Sequence, residues 1–343
     1  MKKVWKRTSK GAVACAIMIM TLVGASARLQ AKEWQVSVGA ESPDRGSQAL
    51  AFLPNELWIQ TGDSIRYSFP THERHTLSFL TPGQTRPPAF GPTFGVPVGC
   101  PGLTPDGSSF DGSACVTSGV LLLPETGPGT VSTYTVNFHS PGNFKFVCLV
   151  HSDMTGVVHV VSASTPLPHD QNFYAQEGLG EQTRLLVGAA ALGLFGTLQS
   201  QAESVGAGAG EIVNMTGLGS QTASLMRFLR DTISVRVGDT VEWSNLDPSI
   251  NHTVTFGTEP VDPRPASASV QLTSDGARQA TIGSSSDSVN SGFLSPTPQD
   301  RANLAQAPLG VTRFRVTFTA PGTFHYICAV HDQLGMTGTV IVY

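Results

Sequence analysis

The chain writes the same sentence twice. "FLPNELWIQTGDSIRYSF" at 52–69 is answered by "FLRDTISVRVGDTVEWSN" at 228–245, an offset of 176 residues. Each alternates apolar and polar residues around a Gly-Asp turn, as two strands of a half-buried sheet do. "ERHTLSF" and "INHTVTF" follow, then "TSGVLL" and "NSGFLS". Last come "YTVNFHSPGNFKFVC" and "FRVTFTAPGTFHYIC", by which point the offset is 180. Landmarks in one order at a nearly constant offset mean a duplicated domain. Short β-type runs between Gly/Pro turns, with almost no helical periodicity, predict an all-β fold. We expect two tandem antiparallel β-sandwiches with Greek-key connections. The expected domains are 33–163 and 211–343.

Composition agrees with that class. Only 13% of the 343 residues are charged, while Gly (36) and Pro (23) are plentiful, a profile of turn-rich β-domains rather than of disordered chains. The N-terminus differs in character. "MKKVWKRTSK" carries five positive charges, "GAVACAIMIMTLVGASA" carries none, and "ASA" is a small-x-small signature. Residues 1–27 therefore read as a secretory signal peptide cleaved after Ala27. The alternative is a retained anchor, since the apolar run of 17 residues is only slightly short of the ~20 that span a bilayer. Cleavage leaves 16 positive and 25 negative charges, a net of −9. An acidic surface disfavours nucleic acid or anionic lipid and favours a basic protein partner. We expect an exported protein, periplasmic or extracellular, with no transmembrane segment in the mature chain. Association with a membrane depends on whether the leader stays.

Residues 164–210 join the repeats. Their polar start, Ala/Leu/Gly-rich middle and small-residue end read as a helix over about 171–200 followed by a flexible link. The 14-residue uncharged stretch from Leu185 to Leu198 is short for a membrane span, and each glycine within it costs about 1 kcal/mol of helix stability. Copy one also carries a turn-rich insertion holding Cys100 and Cys115. In an exported chain these read as a disulfide, the alternative being a pair of metal-binding thiols.

Of the five cysteines, one (Cys15) lies in the leader and two are assigned to the disulfide. Cys148 and Cys328 remain, at equivalent places. Each is followed by a histidine three residues on (His151, His331) and then a methionine (Met154, Met336). Each is preceded, far upstream, by one more equivalent histidine (His75, His252). Two imidazoles, a thiolate and a thioether per repeat suit few metals. Zinc gains little from a thioether, and iron–sulfur clusters need more thiolates. A His₂Cys plane with a weak Met contact describes a blue-copper centre. Any one of these residues alone has an ordinary structural explanation: a cysteine as a small core hydrophobe, a methionine as filler. Four matched residues occurring twice do not. His72, His139, His159, His169 and His325 occur in one copy only and receive no role.

"CLVHSDMTG" resembles the ligand loop of amicyanin, and "CAVHDQLGMTG" is similar to that of plastocyanin, with two extra residues between His and Met. "RHTLSF" and "NHTVTF" resemble the first-histidine segments of the same superfamily. On these motifs the chain is identified as a two-domain cupredoxin of the plastocyanin/azurin type. The resemblance implies one copper at His75, Cys148, His151 and Met154, and a second at His252, Cys328, His331 and Met336, each cycling between Cu(I) and Cu(II). It also implies that His151 and His331 lie near an apolar surface where partners dock. The pattern departs at Val150 and Val330, where Pro is frequent, and at Thr76 and Thr253, where Asn is common. Both changes bear on hydrogen bonding to the cysteine sulfur. The expected function is electron transfer with redox proteins such as a cytochrome or an oxidase, without catalysis. Copper oxidases and nitrite reductases use the same domains, but their His-x-His pairs are missing here. Copper storage or delivery calls for open Met- and His-rich clusters, and the chain has none.

Overall fold

The computed structural model describes Met1 and residues 31–84, 100, 102–123, 132–151, 153–206, 211–219, 222–295 and 310–343, with side chains left aside at 195–206 and 211–219. The chain divides into Met1–Gln30 and Ala31–Tyr343; the leader, its cleavage site and Cys15 lie outside the described residues. Ala31–Tyr343 is mostly β, as the repeat predicts, with one long helix.

Each repeat forms two facing layers. In the first, Glu56–Gln60, Thr155–Val161, Gly142–Val147, His75–Phe79 and Val116–Leu121 make one sheet in that order. In the second, Thr232–Val235, Thr337–Val342, Gly322–Ile327, Thr255–Phe256 and Val289–Asn290 make its counterpart. The alternation read in the sequence is the burial pattern observed: in Arg313–Phe318, Phe314, Val316 and Phe318 are buried and their neighbours are not. Both cores are aromatic, with Trp34, Tyr67, Phe79 and Phe146 in one and Trp243, Phe256, Phe318 and Tyr326 in the other. The Gly-Asp turns need glycine because Gly62 and Gly238 take φ of 98° and 94°, a region costly to other residues. Asp63 then accepts hydrogen bonds from the Trp34 indole at 2.9 Å and the Gln60 amide at 3.0 Å.

One expectation needs correction. The sheets are mixed, since Glu33–Glu41 runs parallel to Ser64–Phe69 and Thr155–Val161 parallel to Glu56–Gln60, and the second repeat does the same. Alternation alone reports which face is buried and carries no information on strand direction. The two expected sandwiches also share a sheet. Their other two layers merge into one eleven-stranded sheet, joined where Ser47–Leu53 pairs antiparallel with Ala223–Leu229. At this seam Ala49 faces Ala223 and Gln48 faces Ser224, and the Met226 amide donates to the Gly46 carbonyl at 2.7 Å. All of Ser47–Leu53 is buried, as an interior strand covered on both faces should be. Leu50, from the first repeat, belongs to the second repeat's core cluster.

The helix runs Gln171–Gly206, longer than expected. Asp170 caps it by accepting the Phe173 amide at 3.0 Å. It packs across the seam strands, with Leu185 and Leu186 against Ala40, Ala49, Ala51 and Leu53. Two of its glycines serve that approach: a Cβ on Gly178 would lie 3.0 Å from the Leu53 main chain, and one on Gly193 2.8 Å from the Leu225 side chain. The close packing offsets the propensity they forfeit. The flexible link expected after the helix falls partly on 207–210, outside the described residues. Among the described residues no helix is long and apolar enough to cross a membrane.

Candidate metal centres

Each centre is assembled from two strand ends and one loop. His75 begins His75–Phe79, and Cys148 directly follows Gly142–Val147, the strand beside it. The chain then turns back so that the Cys148 amide donates to the Met154 carbonyl at 2.9 Å and the Met154 amide to His151 at 3.3 Å. That fold-back brings His151 under Cys148. In the second repeat Cys328 follows Gly322–Ile327, and its amide donates to Met336 at 3.0 Å. The two extra residues there wind into a short 3₁₀ turn, Asp332–Leu334. The glycine of the shared "MTG" has a local cause. Gly156 is paired with Phe146 and Gly338 with Tyr326 across the strands, and a Cβ would sit 2.4 and 2.3 Å from those rings.

The donor atoms converge. In the first centre the Nδ1 atoms of His75 and His151 are 3.1 Å apart, and Cys148 Sγ is 3.7 Å from His151 Nδ1. In the second, the Nδ1 atoms of His252 and His331 are 3.2 Å apart. Cys328 Sγ lies 3.8 and 3.3 Å from them. Each triad offers one nitrogen or sulfur per residue, all within 4.8 Å of one another. Met154 and Met336 are buried in the same core clusters as Cys148 and Cys328. Cys100 and Cys115 stand apart in a disulfide with Cα atoms 5.5 Å apart, which excludes them as metal-binding thiols.

Electrostatics prepare both thiols as ligands. Burial pushes the Cys148 thiol up, but His151 and His75 outweigh it and hold it well below the ordinary range. His331 and His252 do the same for Cys328. Thiolate is the form that binds metal. The Thr76 amide donates to Cys148 Sγ at 3.4 Å and the Thr253 amide to Cys328 Sγ at 3.3 Å. The threonine hydroxyls accept the amides of Leu149 and Ala329, both at 2.7 Å, and that of Thr76 also donates to Cys148 Sγ at 3.9 Å. Two imidazole nitrogens and one thiolate fit a copper ion, and the nearby thioethers suit copper better than zinc.

The outer ring nitrogens hold what the sequence did not disclose. Glu73 is buried between the centres, Oε1 at 3.5 Å from His151 Nε2 and Oε2 at 3.4 Å from His331 Nε2. Burial would raise its pKa, but the positive character of His331 and His151 prevails and holds it at about 2. For His151 burial works downward, and Cys148 with Glu73 overcomes it, to about 9. His252 likewise reaches about 9 through Asp247 and Cys328, the Asp247 carboxylate lying 3.9 Å from its Nε2. The expectation that His151 and His331 lie near an open docking face is not met. They are 0% and 4% exposed, closed off because the repeats fuse on that side. Glu73 was visible as a polar residue standing where the other copy has Ile250.

Comparison with known proteins agrees with this chemistry. Residues 215–343 match the model of the copper-binding proteins of the plastocyanin/azurin family. That match spans the second repeat, 129 of the 343 residues, and takes in His252, Cys328, His331 and Met336. Among solved structures the chain is similar to a mutant of amicyanin in its Cu(I) form, at 20% identity over 40% of this chain and 85% of that one, with a TM-score of 0.23. It is also similar to oxidised plastocyanin from Dryopteris crassirhizoma, at 21% identity over 38% and 99% of the two chains, with a TM-score of 0.22. A search of curated proteins gives no match.

Proposed function

We propose that the protein is an exported electron carrier with two mononuclear type 1 copper sites, one per repeat. His75, Cys148 and His151, with Met154, would hold one ion; His252, Cys328 and His331, with Met336, would hold the other. The observation that carries the reading is the twofold convergence of two Nδ1 atoms and one Sγ within 4.8 Å. Bound copper supplies a one-electron Cu(I)/Cu(II) couple, to which sulfur and imidazole together are suited in both states. The chain's own residues keep the sites dry: all six nitrogen and sulfur donors come from buried residues. The amides of Thr76 and Thr253 stay directed at the sulfurs. Blue copper proteins of this kind are generally carriers, and we assign the chain no catalysis of its own. Its partners are redox proteins.

Titration with Cu(II) tests this. The chain should take up two equivalents and develop an intense band at roughly 600 nm, where thiolate-to-copper charge transfer falls in this geometry. Cys148→Ser and Cys328→Ser should each lose one equivalent and part of the band, and the loaded protein should consume neither oxygen nor nitrite. A colourless copper-loaded protein refutes the reading.

A further inference from the structure

We propose that Glu73 is a positioning residue shared by the two centres: one carboxylate that orients a ligand histidine in each and so joins them into a single unit. The inference rests on the copper reading above. The geometry is specific. His151 and His331 both turn Nδ1 toward a cysteine sulfur, at 3.7 and 3.3 Å. Their Nε2 atoms therefore point away, and the two oxygens of one carboxylate stand there, at 3.5 and 3.4 Å. A carboxylate facing Nε2 keeps the proton on that nitrogen and leaves Nδ1 to give its lone pair to a metal. Metal-ligating histidines commonly hold such a partner, but here one residue serves two sites.

The neighbourhood holds Glu73 in place from both repeats. The Thr71 hydroxyl donates to the Glu73 carbonyl at 3.2 Å, and the carbonyl of Thr71 accepts the Leu123 amide at 2.6 Å. His72 is pinned to Glu41 through its amide at 3.0 Å and its ring at 2.7 Å. The Arg74 guanidinium donates to the Val330 carbonyl at 3.2 Å, one residue before His331. Arg45 and Arg227 reach the same loop at the carbonyls of Gln333 and Leu334. The segment carrying Glu73 is thus docked onto the second centre's ligand loop. The repeat itself argues against a shared structural requirement, because the second copy fills the equivalent position with a buried Ile250.

The test uses the full chain. In the metal-free protein, nitrogen-15 NMR should show slowly exchanging Nε2–H protons on His151 and His331, and Glu73→Gln should shift both and speed their exchange. Copper affinity is then measured by chelator competition, in a Cys328→Ser background for the first site and a Cys148→Ser background for the second. Glu73→Gln should weaken copper binding at each site by about 10–100-fold, the usual consequence of losing an orienting partner. Glu56→Gln, whose carboxylate meets His159, a histidine of neither centre, at 2.8 Å, should leave both within about twofold, well short of that range. Glu73→Ile, which places the other copy's residue here without a buried polar group, repeats the measurement should the amide variant fold poorly. A loss at one site only, or unchanged Nε2–H signals, overturns the proposal. A wild-type chain that binds no copper refutes the carrier reading instead, and the NMR comparison still decides the role of Glu73.

Discussion

The threonines after the first histidines invite a matched pair of substitutions. Thr76 and Thr253 are fully buried, and their hydroxyls accept the amides of Leu149 and Ala329 at 2.7 Å. Valine copies the shape of threonine and deletes that acceptor. Thr76→Val therefore strands a buried N–H, which costs about 1–3 kcal/mol. Thr253→Val should cost a similar amount, about 1–3 kcal/mol, since each hydroxyl has one further contact, Thr76 with Cys148 Sγ at 3.9 Å and Thr253 with the Thr255 hydroxyl at 3.1 Å. The sites share neither residue, so the double variant should lose the sum within about 0.5 kcal/mol. Urea unfolding of the metal-free chain measures this, with an unchanged m-value as the check that only stability has moved. Each cysteine sulfur keeps its main-chain donor, at 3.4 or 3.3 Å, so the copper-loaded variants should stay blue. Losses below about 0.5 kcal/mol, the level of a surface substitution, would show that the hydroxyls are not the partners of these amides. A lost blue band would show that they act on the sulfur directly.

Two further outcomes are expected from the same structure. Gly156→Ala and Gly338→Ala should each destabilise by about 1–3 kcal/mol through overpacking, seen as a lower urea midpoint. Gly156→Ala should be the worse, since its Cβ would also meet the Asn55 carbonyl at 2.8 Å while the conflict at Gly338 is with the Tyr326 ring alone. Removing the disulfide that spans 15 residues, by Cys100→Ser with Cys115→Ser, should cost about 3 kcal/mol in the chain-entropy account. Copper stoichiometry should stay at the wild-type value, because neither sulfur belongs to a centre.

What the sequence disclosed and what it withheld follow one rule. Comparing two copies exposes whatever both need. The Gly-Asp turns, the Cys and His that converge, the threonine after each first histidine and the glycine under each aromatic ring all appear twice, so all could be read. The junction is built from what the copies do not share. "SQALAFL" and "ASLMRFL" look like ordinary buried strands, and nothing local in them states that Ala49 faces Ala223 rather than solvent. Strand pairing between copies depends on long-range geometry that period and composition do not encode. The helix was underestimated for a related reason. Its glycines count against it in isolation, and only the neighbours lying beside Gly178 and Gly193 show what those two permit.

Duplication makes the two ligand sets alike; their surroundings make them unequal. His252 turns its outer nitrogen toward Asp247, at 3.9 Å, whereas that of His75 abuts Gly39, where even a Cβ would come within 2.5 Å. A carboxylate behind a ligand imidazole makes the imidazole more basic. The second centre therefore has a carboxylate behind both of its histidines, and the first behind only one. The loop from His331 to Met336 is also longer and carries its own turn, closed by Gly335 in the left-handed region. Among the described residues, Glu73, from the first repeat, is the carboxylate beside a histidine of each centre. A chain needing only two independent carriers would have no reason to bury the edges of His151 and His331 against each other. Fusing the sheets on that side gives up two exposed histidine edges and gains a fixed relation between unlike sites. The duplicated ligand sets thus sit in unlike surroundings, with Asp247 near the outer nitrogen of His252 and Gly39 against that of His75.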